Sequence, residues 1–128
     1  MSGSIQPSLM NIALWVLQGL LALVFLAAGG FKVASPKAKL VANPHMAWAS
    51  DFSEGQIKLI GLAEVAGAIG LIAPWATKIA PILTPVAAAC LGVIMFGAAR
   101  VHAVRKEPTV PPLVLAAICA GVVIGRFL

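Results

Sequence analysis

Four apolar stretches, each near the length of a bilayer crossing, constrain this chain more than any other feature. They run from about Asn11 to Phe31, Ile57 to Ala73, Ile79 to Val101 and Pro111 to Phe127. A membrane-spanning helix needs roughly 20 mostly apolar residues, because each residue advances the helix by about 1.5 Å. In lipid, every backbone amide and carbonyl must find a partner within the protein, so stretches of this kind fold as helices. The composition agrees: 61% of residues are hydrophobic and 10% are charged, with a mean hydropathy of +1.02. A soluble domain is nearer about 45–50% apolar and carries enough polar surface to coat a globule. The expected fold is therefore an all-α membrane protein, a single-domain bundle of four transmembrane helices.

The net charge of +5 does not point to nucleic acid, because the lysines and arginines flank apolar spans instead of forming one basic face. No Lys or Arg precedes the first apolar run, and that run is longer than a signal-peptide core, so it reads as a retained span. Between the first two spans lies a segment, 34–56, that mixes Leu40, Val41, Met46, Trp48 and Phe52 with lysines and acids. It is expected to form short amphipathic helices in the membrane interface, with Trp48 at headgroup depth. Pro85 is expected to bend the third span near its start, where its ring removes a hydrogen bond.

Counting basic residues orients the chain. Lys32, Lys37, Lys39 and Lys58 surround the first loop, and Arg100, Arg105 and Lys106 surround the third. Lys78 and Arg126 are the basic residues at the opposite ends. The positive-inside bias places loops one and three in the cytoplasm and both termini outside, in an inner (plasma) membrane. Gly61, Gly67 and Gly70, and the Gly121–Gly125 pair, would let helix backbones approach closely, and the last pair permits a homo-oligomer without requiring one.

One residue breaks the apolar pattern. Glu64 lies in IGLAEVAGAIGL, about 10 Å below the interface by helix rise. Carboxylates inside spans are costly and usually face protein or a wet cavity. Lys32 closes span one at the same end, and Arg100 and His102 close span three, so a cluster of Glu64 with any of these is geometrically allowed. Burial disfavours the ionised form of an acid, and a cationic neighbour restores it. Such a pocket can bind the polar head of an apolar ligand, pass protons, or fasten helices together. Gln18 reads as an interhelical hydrogen bond and His45 as a surface residue. Cys90 and Cys119 fall in mid-span, where a small apolar residue would serve equally well. No metal site is expected, since two distant histidines lack a third ligand; haem between them rests on counting alone.

The run MAWASDFSEGQIKLIGLAEVAGAIGLIAP, then IAPILTP, GAARVH and a terminal IGRF, together with the Gly-Gly-Phe-Lys end of span one, resembles the DoxX-like family of small bacterial membrane proteins. The resemblance covers nearly the whole chain and implies a four-helix bundle. It also implies that Lys32, Trp48, Asp51, Phe52, Gln56, Lys58, Glu64, His102 and Arg126 stand at the family's recurring polar positions. The family often has an asparagine at the start of the last span, where this chain reads Pro111-Pro112-Leu113. The family's name comes from a subunit linked to thiosulfate:quinone oxidoreduction, and other members are tied to redox stress or membrane-protein assembly.

The expected function is a polar intramembrane site around Glu64, Lys32, His102 and Arg100, with Trp48, Asp51 and Gln56 in the interfacial loop. It would bind a quinone or another lipid-soluble ligand in a membrane-redox accessory role, with Glu64 accepting, His102 donating and Lys32 setting the charge. Catalysis would then require a bound cofactor or a partner subunit. Two rival readings are a proton-coupled transporter of small molecules or cations and an assembly factor for membrane proteins. AEVAGA is similar to the acid-bearing stretch of the small multidrug resistance exporters, but those carry the acid in the first span and lack a long amphipathic loop.

Overall fold

A computed structural model describes residues 9–127. Helix α1 spans Asn11–Ala34, the short α2 Lys37–Ala42, α3 Glu54–Thr77, α4 Leu83–Val104 and α5 Val110–Phe127. A 3-10 segment, Pro44–Asp51, separates α2 from α3. Helices α1, α3, α4 and α5 are each long and apolar enough to cross a membrane. They form a ring in which α1 runs along α3, α3 along α4, α4 along α5, and α5 returns to α1. The core on its axis includes Leu21, Phe25, Leu71, Leu91, Met95 and Val122. Apolar residues such as Leu23, Leu62, Val93 and Ile124 remain exposed around the outside, as a lipid-facing surface requires.

The helix ends follow from local chemistry. Helix α1 stops at Ser35, whose extended backbone is what a residue before proline prefers. Lys58 then reaches back from α3 to the last carbonyls of α1, donating to Val33 O at 2.8 Å and Ser35 O at 3.0 Å. Lys58 is thus a cap on its neighbour, not a residue extended to the interface. Helix α3 opens with a capping box: Ser53 Oγ accepts from the Gln56 amide at 3.1 Å, and Gln56 Oε1 accepts from the Ser53 amide at 2.9 Å.

Two spans differ from the sequence expectation, each next to a proline. Span two does not stop at Ala73; α3 continues through Pro74 to Thr77. Proline at this position cannot donate to the carbonyl of Gly70, and Thr84 Oγ1 of α4 donates to that carbonyl instead, at 2.9 Å. Gln18 Nε2 of α1 donates to the next carbonyl, Leu71 O, at 2.6 Å. Pro85, expected to bend the third span, lies in the first turn of α4, where amides have no intrahelical partner anyway. The span simply begins later, at Leu83. Thr84 is fully buried, so Thr84→Val, which keeps the shape and removes the hydroxyl, should cost about 1–3 kcal/mol by stranding the Gly70 carbonyl. Thermal unfolding in detergent measures this, and an unchanged midpoint would mean the proline gap is closed some other way.

The glycines differ in use. A Cβ on Gly29 would meet Gly61 O at 2.6 Å, and one on Gly61 would meet Gly29 O at 2.8 Å, so α1 and α3 touch through their backbones. Gly67 seats Leu91, Gly70 faces Ala87, and Gly125 seats Leu14. Gly121 has nothing within 4 Å, so Gly121 and Gly125 are not one packing seam.

Candidate functional site

The two ends of the bundle are built differently. At the end where α1 begins and α5 finishes, these two helices are fastened together: Arg126 Nε donates to Gln18 Oε1 at 2.6 Å and its Nη1 to Asn11 Oδ1 at 2.9 Å. The guanidinium also lies 4.5 Å from the Trp75 ring and 5.4 Å from that of Trp15. Gln18 is therefore the interhelical bond expected of it, and Arg126 belongs to this knot and not to the Glu64 region.

Toward the loop end the helices line a half-open cavity of about 490 Å³. Val24, Phe25 and Ala28 of α1, Ile94, Met95 and Ala98 of α4, and Pro111, Pro112 and Leu115 of α5 make its walls apolar. Lys32, Glu64 and His102 supply the polar lining, and Trp48 and Phe52 line it from the interhelical segment.

Glu64 and Lys32 form a buried ion pair, Nζ to Oε1 at 2.7 Å, with side chains only 3% and 9% exposed. Helix α1 ends beside the start of α3, and the Gly29–Gly61 contact lets the pair form. A Cβ on Gly29 would meet Glu64 Cβ at 2.9 Å, and one on Gly61 would meet Lys32 Cβ at 2.9 Å. Each glycine is the seat for the other helix's charged residue. Glu64 Oε2 accepts no hydrogen bond from the described residues, so the pair retains an open acceptor beside the cavity. The Lys32 ammonium lies 5.6 Å from the centre of the Trp48 ring, within range of a cation–π contact. Trp48 in turn meets Phe52 edge-on, with ring centres 5.7 Å apart.

His102 lines the cavity but does not touch Glu64. Its Nδ1 lies 2.8 Å from Glu107 Oε1, an arrangement that assigns the ring proton to Nδ1 and leaves Nε2 as the acceptor of the neutral ring. In that tautomer His102 offers the cavity an acceptor, where the sequence reading has it donate. The other oxygen of Glu107 accepts from Arg105 Nε at 3.2 Å, and Arg105 Nη1 reaches Asp51 Oδ2 at 2.7 Å. Glu107 and Arg105 were invisible as partners in the sequence, since the turn after α4 folds them back onto His102.

The hydrogen bond from His102, followed by that from Arg105, holds the Glu107 carboxyl below its ordinary range, and Asp51 and Glu107 together push the Arg105 guanidinium further up. A carboxyl lowered by folding contributes stability that is present above its unfolded value and is lost only as pH falls through the lower, folded value. The clasp of His102, Glu107 and Arg105 should therefore survive acidification through the usual glutamate range near about 4.3. The 13C carboxyl shift of Glu107 in micelles measures this. Its midpoint should lie below that of a free glutamate and rise in His102→Ala; a midpoint unmoved by that change would remove His102 as the cause.

Arg100 is not brought to the site. It is exposed on α4, one residue past the buried Ala99, and the Glu64 partner is Lys32. Gln56 serves the start of α3 instead of the cavity. Asp51 faces Arg105, and the Trp48 ring lies beside the Lys32 ammonium. His45 is exposed. Cys90 is exposed, Cys119 is buried, and neither is bonded to the other. Among the described residues no three His, Cys, Asp or Glu side chains converge on a metal-sized site.

No curated protein and no solved structure matches the chain. The DoxX-like family profile matches residues 16–123, which takes in all four membrane-crossing helices in whole or large part, the 3-10 segment and every residue of the cavity. With that coverage and four spanning helices in one bundle, this chain belongs to the DoxX-like family.

Proposed function

We propose that the loop-end cavity binds a lipid-soluble ligand with a polar head, a quinone being the first candidate, and that the protein serves membrane redox chemistry as an accessory. One observation carries this reading: the Lys32–Glu64 pair lies at a cavity that is apolar apart from the pair and His102, with a carboxylate oxygen still open. The volume of about 490 Å³ is within the range of small-molecule sites, which are mostly apolar with a few placed polar groups. A quinone or hydroquinone head offers a carbonyl to the Lys32 ammonium and a hydroxyl to Glu64 or to His102 Nε2, while its tail runs along the apolar walls. Redox chemistry would come from that ligand or from a partner subunit. The Glu64 carboxylate is bonded to Lys32 of its own bundle, which sets the transporter reading behind this one.

We further propose that the loop end faces the cytoplasm of a bacterial inner membrane. Lys37, Lys39, Arg100 and Lys106 lie at that end, beyond the internally bonded Lys32 and Lys58, whereas Lys78 stands at the other.

Native mass spectrometry from mild detergent tests the ligand, with lipids and quinones identified in the same extract. Wild type should retain a stoichiometric quinone or lipid, and Ala98→Phe, which fills the cavity without touching the ion pair, should lose it. An empty wild type, or a ligand indifferent to the filled cavity, would sink the reading.

A further inference from the structure

The cavity is roofed by a segment tied down unequally on its two sides. On the α3 side it has a small core of its own. Leu40, Ala49 and Ile57 are buried together, with Met46, Trp48 and Phe52 packed against them. The Lys37 amide also donates to Glu54 Oε2 at 2.9 Å, joining α2 to the first turn of α3. On the α4–α5 side, among the described residues, one polar tie crosses: Arg105 Nη1 to Asp51 Oδ2 at 2.7 Å. The Asp51 side chain is 52% exposed, so this pair is screened by water and salt and is easily broken.

The segment itself is suited to moving as a piece. It is a 3-10 helix, whose hydrogen bonds are poorer than those of an α-helix, and Met46 interrupts it at φ −121° and ψ 25°. Asn43 before it and Phe52 after it are both extended, the positions at which a small backbone change swings what lies between. Trp48 within it and Phe52 directly after it both line the cavity, with Trp48 beside the Lys32 ammonium. Lifting its Asp51 edge would uncover the ion pair from the loop end.

We propose that Pro44–Phe52 is a lid on the cavity, hinged on α3 and latched by Arg105–Asp51, and that a ligand enters from the loop end when the latch parts. The proposal rests on the cavity being a binding site. The latch is also joined to the cavity wall, because Glu107 holds Arg105 with one oxygen and His102 with the other. A ligand that draws His102 toward itself thus acts on the latch through one shared carboxylate.

The test needs no ligand, so its outcome is separate from that of the binding experiment. With Trp15→Phe and Trp75→Phe, Trp48 is the one remaining tryptophan, and its quenching by acrylamide in nanodiscs reports lid opening. Asp51→Asn and Arg105→Gln should each raise the open fraction by roughly two- to fivefold, the range an exposed ion pair supports. The two together should do no more than either alone, since both remove the same bond between the α4 turn and the segment; the Arg105–Glu107 bond lost with Arg105 does not cross to it. Added salt should raise quenching in the parent toward the variants and leave the variants unmoved. Unchanged quenching in the single variants, or additive effects in the double, would overturn the latch. Should the Trp15 and Trp75 replacements not fold, hydrogen exchange at amides 46–52 reads the same comparison with all tryptophans in place. An opening lid over a cavity that carries no ligand would overturn the binding reading and the entry route with it, and leave the latch standing.

Discussion

Glu64→Ala should lower stability by about 3–5 kcal/mol, because it leaves the Lys32 ammonium buried without its counter-charge. Taking two charges out of water is costly, and their attraction offsets that cost only while both are present. The pair is 2.7 Å apart and almost wholly enclosed, so little solvent can replace the missing partner. The double change Lys32→Met with Glu64→Leu removes both charges and fills similar volumes. It should return stability to within about 1 kcal/mol of wild type or above it, since buried pairs are often no better than well-packed apolar residues. Unfolding midpoints in one detergent, for the single and the double, decide this. Equal losses in both would mean the pair is not what the single change breaks. The double also separates folding from binding. A folded double that has lost the bound species assigns the pair to the ligand, whereas a folded double that keeps it makes the pair a helix fastener.

Much of the architecture is legible in the sequence because span length is encoded directly in runs of apolar residues. The errors arise at proline. Pro74 looks like a stop, and only a hydroxyl from another helix, Thr84, lets α3 continue past it. No local rule reports that bond. Glu64 also stands out unaided, as a single acid in an apolar run. Its partner does not, since Lys32 and Arg100 both close spans at the same end. Choosing between them requires the rotation of each helix about its axis. In a soluble helix the polar face would reveal it, but here lipid and core are both apolar, and the contrast is lost. Helix α4 buries Ala88, Leu91, Gly92, Met95 and Ala99, a stripe whose next turn reaches His102 and leaves Arg100 outside. The clasp through Glu107 and Arg105 was hidden for another reason: it depends on the turn after α4, where Lys106 adopts a left-handed backbone, φ 59°.

Gly61→Ala should separate α1 from α3 and open the ion pair with them. The added Cβ would stand 2.8 Å from Gly29 O, 2.9 Å from Lys32 Cβ and 3.0 Å from Val33 Cγ2. A flexible side-chain tip could turn away from such a contact, but a carbonyl oxygen inside a helix cannot without moving its whole segment. The helices must therefore shift apart along the face where Lys32 meets Glu64. Overpacking of this kind costs about 1–3 kcal/mol on its own. Here it also stretches a buried charge pair, so the loss should approach that of Glu64→Ala, and Gly29→Ala should behave alike, because its Cβ meets Gly61 O and Glu64 Cβ. Gly121→Ala is the control. With no atom within 4 Å, alanine there removes only the conformational penalty of glycine and should be neutral or stabilising by up to about 1 kcal/mol. Unfolding midpoints compare the three, and cross-linking between cysteines placed on α1 and α3 reports the spacing. A Gly61→Ala protein as stable as Gly121→Ala would show that the backbone contact does not set the position of the pair. A loss confined to Gly29 and Gly61 would make these two glycines the residues that bring Lys32 and Glu64 together.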